Sequence, residues 1–418
     1  MRPASFLPAC LTLSLMLASS SAAADNSPDW PRFRGPGQNN LSPDTGLLKE
    51  WPKEGPPVVW KATGIGSGYS SITIAGNRIY TMGNKGRLSY VFAIDRDNGK
   101  VVWSAKVGRP GGNLGCTPTV DGDRVYAIGQ EGDLVCLDAS DGSEKWRKDF
   151  KKDFGGSYGG WRYTESPLVD GDKLVCTPGG KNAVMVALDK KSGEVLWKCP
   201  APPRISPQAG YSSPVVAEVG GVRQYVQLVA AGVIGVSATD GKLLWIYDKL
   251  GDNTANIPTP TVLGDHVFCA AGYGKGAALL KLTARDGKVS VKELYYNFRM
   301  RNKHGGLVVA GEYVYGDEDD KGVPFCAEVK TGKVVWQRKD RGPGQGSACV
   351  TYADGHLYFV YQNGVVALVE ASPKEYREVS TFRIPRPQGY SWAHPVVLGG
   401  RLYVRQDGTL WCHDVKQR

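Results

Sequence analysis

The segment FAIDRDNGKVVW, Phe92 to Trp103, carries the pattern that decides the fold: an apolar strand, a polar turn closed by glycine, and a second strand that ends in tryptophan. Two short strands joined by such a turn form a β-hairpin. The pattern recurs in VCLDASDGSEKW (Val135 to Trp146), VALDKKSGEVLW (Val186 to Trp197), VSATDGKLLW (Val236 to Trp245) and CAEVKTGKVVW (Cys326 to Trp336). This recurrence indicates a repeat protein whose copies are single supersecondary units.

A second glycine turn precedes each of these hairpins, as in PTVDGDRVYAIG at residues 118–129. Such turns recur about every 46 residues, at Gly76, Gly122, Gly171, Gly220, Gly264, Gly311, Gly355 and Gly399. Two hairpins per period make a four-stranded antiparallel sheet. The eight turns therefore predict an all-β fold of eight such sheets, an eight-bladed β-propeller.

Two copies depart from the pattern. In Leu282 to Val291 the tryptophan position is assigned to Val291, and Val366 to Phe382 lacks both the glycine and the tryptophan. The last copy, ending in LWCHDVKQR, is one strand short, whereas Val58-Val59-Trp60 has the same strand ending before the first full copy. We expect this N-terminal strand to complete the last blade and close the ring, which removes free sheet edges. The tryptophans are expected to be buried between neighbouring sheets.

The composition of the 418-residue chain, 41% hydrophobic and 22% charged, is typical of a folded globular protein. Its 54 glycines argue against an all-helical fold. An apolar stretch from Phe6 to Ala18 follows Arg2 and precedes the small residues Ser19 to Ala24. This stretch is too short to span a bilayer and is typical of a secretory signal peptide cleaved near Ala24.

The sequence thus predicts a signal peptide at residues 1–24, a lead-in segment at 25–55 and a propeller domain at 56–418. We expect an exported, periplasmic or extracellular monomer without a transmembrane segment. The formal net charge is +10 and becomes +9 once Arg2 is removed, which favours anionic surfaces or polymers over nucleic acid. Eight of the nine cysteines follow the signal and lie mostly in apolar strands, so we expect buried thiols, with one or two disulfides left open.

The rhythm of Ala93, Asp95, Gly99 and Trp103 resembles the PQQ-like repeat of quinoprotein alcohol dehydrogenase-like eight-bladed β-propellers. The resemblance covers residues 56–418. The opening DWPRFRGPGQNN, Asp29 to Asn40, also resembles the lead-in of exported members of this group whose activity is unsettled. The resemblance implies one of two branches: quinoprotein alcohol and glucose dehydrogenases, or the BamB-like scaffold of outer-membrane protein assembly, which binds proteins without a cofactor. Fold analogy does not choose between these branches.

The loops that precede the innermost strands form one face of a propeller, where ligands usually bind. These loops supply the candidate ligand- or partner-binding residues Tyr69, Trp161, Arg162, Glu165, Tyr211, Asn256, Arg299, Arg301, Lys303, His304, Tyr390, Trp392 and His394. Flat aromatic side chains beside cations and amides suit a planar or sugar-like anion, or a protein loop. If the segment is extended, Arg299, Arg301 and Lys303 project to one side.

The main functional prediction is a non-catalytic binding scaffold for a protein or small ligand at this loop face, with no cofactor and no metal. The alternative is a PQQ- and calcium-dependent quinoprotein dehydrogenase that oxidises an alcohol or a sugar. That chemistry needs a cation held by oxygen ligands and a carboxylate base, for which Glu165, Asn256 and Lys303 are available, although no spacing demands them. The adjacent-cysteine pair that resembles a hallmark of the alcohol-oxidising branch is absent. A third possibility is recognition of an anionic glycan.

Other groups of reactive residues give weaker evidence for a metal or catalytic site. The histidines lie in different copies without zinc-ligand spacing, at His266, His304, His356, His394 and His413. The acidic run Asp317 to Asp320 lacks the alternating ligands of a calcium loop, so we expect a solvated turn. No phosphate-binding loop, nucleophile elbow or dinucleotide fingerprint is present, so catalytic residues stay unassigned.

Overall fold

The computed structural model describes Met1 and residues 28–112, 114–252, 254, 256–385 and 389–418. The expected signal peptide lies outside these residues except for Met1, so its cleavage near Ala24 stays a prediction. The described strands form eight four-stranded antiparallel sheets, in which strands adjacent in sequence pair with one another. This confirms the all-β, eight-bladed propeller. Blades are numbered here by the order of their innermost strands.

The first four blades each contain two consecutive hairpins. Their strands are β2 (Thr73–Ala75), β3 (Arg78–Lys85), β4 (Leu88–Asp95) and β5 (Val101–Gly108) in blade 1; β6 (Thr119–Asp121), β7 (Arg124–Ile128), β8 (Asp133–Asp138) and β9 (Glu144–Asp149) in blade 2; β10 (Leu168–Asp170), β11 (Lys173–Cys176), β12 (Met185–Asp189) and β13 (Val195–Cys199) in blade 3; and β14 (Val215–Val219), β15 (Val222–Val229), β16 (Gly232–Ser237) and β17 (Leu243–Tyr247) in blade 4. A short helix, α1 (Phe150–Phe154), follows β9.

Blades 5 to 7 have the same order, and blade 8 borrows β1 from upstream. Their strands are β18 (Thr261–Leu263), β19 (His266–Ala271), β20 (Gly276–Arg285) and β21 (Lys288–Asn297) in blade 5; β22 (Val308–Ala310), β23 (Tyr313–Glu318), β24 (Val323–Glu328) and β25 (Val334–Gln337) in blade 6; β26 (Ala348–Ala353), β27 (His356–Tyr361), β28 (Val365–Glu370) and β29 (Glu378–Arg383) in blade 7; and β30 (Val396–Leu398), β31 (Arg401–Gln406), β32 (Thr409–Asp414) and β1 (Val58–Thr63) in blade 8. Two 3₁₀ turns lie at Phe298–Met300 and Asp319–Lys321. No helix in these ranges has the length and hydrophobicity needed to cross a bilayer.

The ring closes as expected, because β1 pairs antiparallel with β32. Trp60 lies opposite Cys412 and Thr63 opposite Thr409 in this pairing. An apolar cluster that includes Trp60, Ile79 and Tyr403 fills the seam between blades 8 and 1. The eight cysteines of the described chain are all buried and unpaired, so they act as small apolar core residues.

The repeated tryptophan and glycine meet in one contact between neighbouring blades. The Trp60 indole N–H donates to the Arg96 carbonyl at 3.0 Å, and the indole lies over Gly99 so closely that a Cβ there would come within 2.5 Å of it. Gly99 also has a φ of +72°, which other residues rarely adopt. The indoles of Trp103, Trp146, Trp197 and Trp336 likewise donate to carbonyls of the next blade, on Ala139, Lys190, Ala238 and Ser372. Each indole therefore fixes one blade to the next.

Blade 5 corrects the sequence prediction for its copy. Tyr295, not Val291, takes the tryptophan position: its hydroxyl donates to the Val329 carbonyl at 2.7 Å and its ring lies over Gly332. The reason is that β20 and β21 are ten residues long, so the contact position falls four residues later than in a short hairpin. Trp245 is also exceptional, since its indole N–H donates to Gln224 within its own blade.

The lead-in segment occupies the central channel. Its first part forms a two-bond bridge between Trp30 and Ile74 of the innermost strand of blade 1. Residues 31–44 then hydrogen-bond to residues in or beside the innermost strands of the other seven blades, namely Val120, Val169, Pro214, Thr259, Leu307, Val350 and Gly400. Because it contacts all eight blades, we call residues 29–44 the channel segment.

The channel segment is fastened to blade 8 by a buried contact between Asn40 and His394. The Asn40 amide donates to His394 Nδ1 at 2.7 Å, so His394 Nε2 carries the hydrogen and faces the His304 carbonyl at 3.3 Å. Burial, helped by the positive charge of Arg34, lowers the pKa of His394 to about 3. His394 is therefore neutral in the folded protein at any pH above about 3.

Replacing Trp197 with alanine should lower the free energy of unfolding by about 3–5 kcal/mol, since it leaves a cavity and orphans the Ala238 carbonyl. Equilibrium urea unfolding of the mature protein measures this change. Trp161→Ala serves as the control, because the Trp161 side chain is half exposed and is not one of the repeated indoles that donate to the next blade. Equal losses in the two variants would contradict the role given to the repeated indoles.

Acidification should destabilise the protein through His394. The unfolded histidine binds a proton below about pH 6.5, whereas the folded one does not until about pH 3, so stability falls as the pH falls through this window. For this group alone, the free energy of unfolding should be about 2 kcal/mol lower at pH 5 than at pH 7. Urea unfolding of wild type and His394→Gln at both pH values isolates the effect. An identical pH dependence in both proteins would rule it out.

Candidate binding cavity and loop face

A cavity opens at the centre of the loop face and contains about 140 Å³ of free volume. Seven of the thirteen candidate residues line it, on blades 1, 3, 4, 6 and 8: Tyr69, Trp161, Tyr211, Lys303, His304, Trp392 and His394. The channel segment provides the floor through Phe33 and Arg34, so the cavity is blocked toward the opposite face. Whether these residues bind a ligand stays a prediction.

One wall of the cavity is built around Trp392. Its indole lies 4.5 Å from the ring of Tyr69 and 4.6 Å from that of His304, between ring centres. Tyr390 stacks on its outer side at 4.9 Å, with the two planes 27° apart. The indole N–H donates to Gln362 Oε1 at 2.9 Å, which fixes the orientation of the wall. These contacts produce a continuous aromatic surface that extends from the cavity lining to the exposed Tyr390.

The opposite wall combines Trp161, Tyr211 and Tyr273. The Trp161 backbone N–H donates to the Tyr211 hydroxyl at 3.3 Å, which joins the loops of blades 3 and 4. Lys303 Nζ lies 4.9 Å from the centre of the Tyr273 ring, a cation–π contact. Sequence analysis missed Tyr273 because it lies in the turn between β19 and β20, not in a loop before an innermost strand.

A girdle of hydroxyl groups runs around the channel where the innermost strands begin. Each hydroxyl oxygen accepts a backbone N–H from the neighbouring blade, in the pairs His394 to Ser71, Ser71 to Thr117, Thr117 to Ser166, Ser166 to Ser213 and Ser213 to Thr259, at 2.7–3.1 Å. Sequence analysis missed this girdle. Its signal is a Ser or Thr two residues before an innermost strand, followed in four blades by proline, as in Thr117-Pro118.

Glu165 and Asn256 do not line the cavity. Glu165 is buried between blades 3 and 4, where one carboxylate oxygen accepts the Thr177 backbone N–H at 2.6 Å. Burial raises the pKa of Glu165 to about 7. The Asn256 amide turns back to its own loop and donates to the Asp252 carbonyl at 2.5 Å. Both residues stabilise the loops of the loop face through hydrogen bonds to the backbone, outside the cavity lining.

The segment of Arg299, Arg301 and Lys303 is not extended throughout, so the condition under which the three side chains project to one side is not met. Phe298–Met300 forms a 3₁₀ turn, and Arg299 is exposed outside the cavity lining. Arg301 forms ion pairs with Glu318 and Asp319, and Lys303 Nζ lies 2.6 Å from Asp320. Arg301 and Lys303 are therefore neutralised by carboxylates about seventeen residues further along the chain, whereas Arg299 has no ion pair among the described residues.

The acidic run that supplies these carboxylates is not the solvated turn that we expected. Asp317 is fully buried at the end of β23, and burial raises its pKa well above the usual value. Glu318 is also buried, whereas Asp320 is exposed. Arg162, at the rim, is likewise paired with an acid, Glu131.

A calcium-bound quinone does not fit this cavity. Calcium takes six to eight oxygen ligands, normally including carboxylates, but none of the described lining residues is Asp or Glu. The two charged side chains in the lining, Arg34 and Lys303, are both cations and would repel the metal. Nowhere in the described ranges do three or more His, Cys, Asp or Glu side chains come together in a possible metal site.

Comparisons with known proteins give the same architecture. The chain is 26% identical to the outer membrane protein assembly factor BamB of Shewanella oneidensis over 57% of this chain, and it spans only 61% of that protein's length. Its fold matches the crystal structure of BamB from Moraxella catarrhalis with a TM-score of 0.59 at 17% identity, covering 84% of this chain and 95% of that one. It also matches quinohemoprotein alcohol dehydrogenase from Comamonas testosteroni, with a TM-score of 0.64 at 15% identity, covering 95% and 82%.

The two structural matches show the fold alone, because propellers of both branches superpose on the chain equally well. A family model discriminates further: the one described as outer membrane protein assembly factor BamB matches residues 87–338, which is more than half of the chain. This match runs from β4 of blade 1 to β25 of blade 6 and includes four of the five tryptophans whose indoles donate to the next blade, all but Trp60. The chain therefore belongs to the outer membrane protein assembly factor BamB family.

Proposed function

We propose that the protein is an exported, non-catalytic scaffold that binds a partner protein of outer-membrane assembly through its loop face. The observation that carries the proposal is a group of exposed aromatic side chains on that face: Trp161, Tyr273, Phe298 and Tyr390, each 40–51% exposed. Large aromatic side chains exposed together are typical of protein interfaces, where Trp and Tyr contribute most of the binding energy.

The charges of the loop face favour a protein over an anionic glycan. Arg162, Arg301 and Lys303 are each paired with a carboxylate of the same face, so three of the four candidate cations there, all but Arg299, are already neutralised. Binding of an anionic polymer relies on cations free to pair with it. A rim of aromatic groups surrounded by internal ion pairs resembles the apolar centre and polar border of a protein interface.

The proposal places the protein in the periplasm after removal of its signal peptide. It acts there as a monomer, because β1 and β32 close the ring within one chain and leave that seam unavailable for a second copy. The named relatives are outer membrane protein assembly factors, which supports this location and a partner within that machinery. No catalytic step is assigned to the chain.

Replacing Trp161 and Tyr390 together with alanine should reduce partner capture at least tenfold without changing the melting temperature, since both side chains are exposed in the free protein. The measurement is affinity capture from envelope extracts of the native host, with mass spectrometry to identify any outer-membrane assembly protein. Val195→Ala with Leu196→Ala is the matched control, because these exposed apolar residues lie on the outer strand β13. Undiminished capture by the aromatic variant, or loss in the control alone, would contradict the proposed surface.

Calcium should not promote binding of pyrroloquinoline quinone, because the described cavity lining has two cations and no carboxylate. Calorimetric titration of the mature protein with the quinone, in calcium and in a chelator, measures this directly. We expect identical traces in the two buffers and no dye reduction with alcohols or sugars. Calcium-dependent saturation would instead support the dehydrogenase alternative.

A further inference from the structure

Arg34 is a buried cation for which the described chain supplies no carboxylate. It is 2% exposed, and its two terminal nitrogens donate to the carbonyls of Thr259 and Leu307 at 3.0 Å and to the Thr261 hydroxyl at 3.4 Å. Its Nε–H has no acceptor among the described residues. Burial lowers the pKa of Arg34 to about 10, with no acid nearby to oppose the shift. An unpaired charge in this position is costly, because desolvation is not repaid by an opposite charge.

Arg405, also buried among the described residues, serves as a comparison, because its guanidinium has more hydrogen-bond acceptors than that of Arg34. Its nitrogens donate to four carbonyls, on Ser70, Met82, Gly66 and Asp407, and to the Thr81 hydroxyl. Arg405 lies between blades 8 and 1 and is not part of the cavity lining. Arg34 makes three hydrogen bonds where Arg405 makes five, and it lies on the cavity floor, so its positive charge is beside space that a ligand can enter.

The hydroxyl girdle adds further donors to the same cavity. Four of its members, Ser71, Ser166, Ser213 and Thr259, line the cavity. Their oxygens already accept backbone N–H groups, and within the described ranges none of these hydroxyls donates a hydrogen bond. Each hydroxyl hydrogen is therefore available to an acceptor. A cation and a set of free O–H donors, in a lining without acids, are complementary to an anion.

We propose that this cavity binds a free organic acid built on a single ring, with its carboxylate paired to Arg34. The free volume of about 140 Å³ is close to the ~150 Å³ of an apolar cavity that accepts benzene. The aromatic walls formed by Tyr69, Trp392 and Tyr211 suit the flat body of such an acid. This inference goes beyond the protein-binding rim, since it concerns the inside of the cavity, down to Arg34 on its floor.

The test is a titration of the full mature protein with benzoate, benzamide and benzylammonium, followed by calorimetry and tryptophan fluorescence. Benzoate should bind saturably and change the emission of Trp392, whereas its neutral and cationic counterparts should bind at least tenfold more weakly. Equal affinity for benzoate and benzamide would overturn the proposal, because the ring alone would then account for binding. This comparison uses the wild-type protein and needs no variant to fold.

Arg34→Met keeps the side-chain bulk, removes the charge, and should weaken benzoate binding at least tenfold. Arg299→Ala is the matched control, because it removes one positive charge from the same face outside the cavity lining and should leave the affinity unchanged. An unchanged affinity in a folded Arg34→Met protein would also overturn the proposal. Since Arg34 is hidden from the rim, this variant should still capture the partner protein, so the two proposals fail independently.

Discussion

The contact between an indole on one blade and a glycine turn on the next sets the geometry of the whole molecule. Trp60 over Gly99 is its first instance: the close approach excludes any Cβ at the turn, and the indole N–H satisfies a carbonyl that the turn leaves unpaired. The contact acts only between nearest neighbours, as in other repeat proteins. Repetition of the same step around the axis nevertheless brings β32 back to β1, and loops from distant parts of the chain form one rigid face.

The sequence was sufficient to predict the number of blades and the closure of the ring, because both depend on local features: glycine in tight turns and a fixed distance from turn to tryptophan. The prediction failed at Val291, where the hairpin itself is longer. Hairpin length follows from the pairing of β20 with β21, and no residue in the turn reports it. Asp317 was misplaced for a related reason, since the neighbouring blade buries the end of β23.

The candidate site was predictable to the extent that it follows from the repeat. Tyr69, Tyr211 and Trp392 lie at equivalent places before innermost strands, so counting strands was enough to place them together. Glu165 belongs to the corresponding loop of blade 3 but lies three rather than four residues before its innermost strand, and its side chain turns between the blades. Arg34 could not be predicted as a site residue from the sequence, because the channel segment has no repeat and its path through the ring depends on contacts with all eight blades.

The pairing of β1 with β32 joins the two ends of the propeller sequence. These strands are separated by almost the entire propeller sequence, and contacts between residues so distant in sequence form slowly. Until then, β32 exposes an unpaired edge that invites strands from other molecules. A chain in which β1 has not yet paired with β32 is therefore an open ring that is prone to aggregate until this pairing closes it.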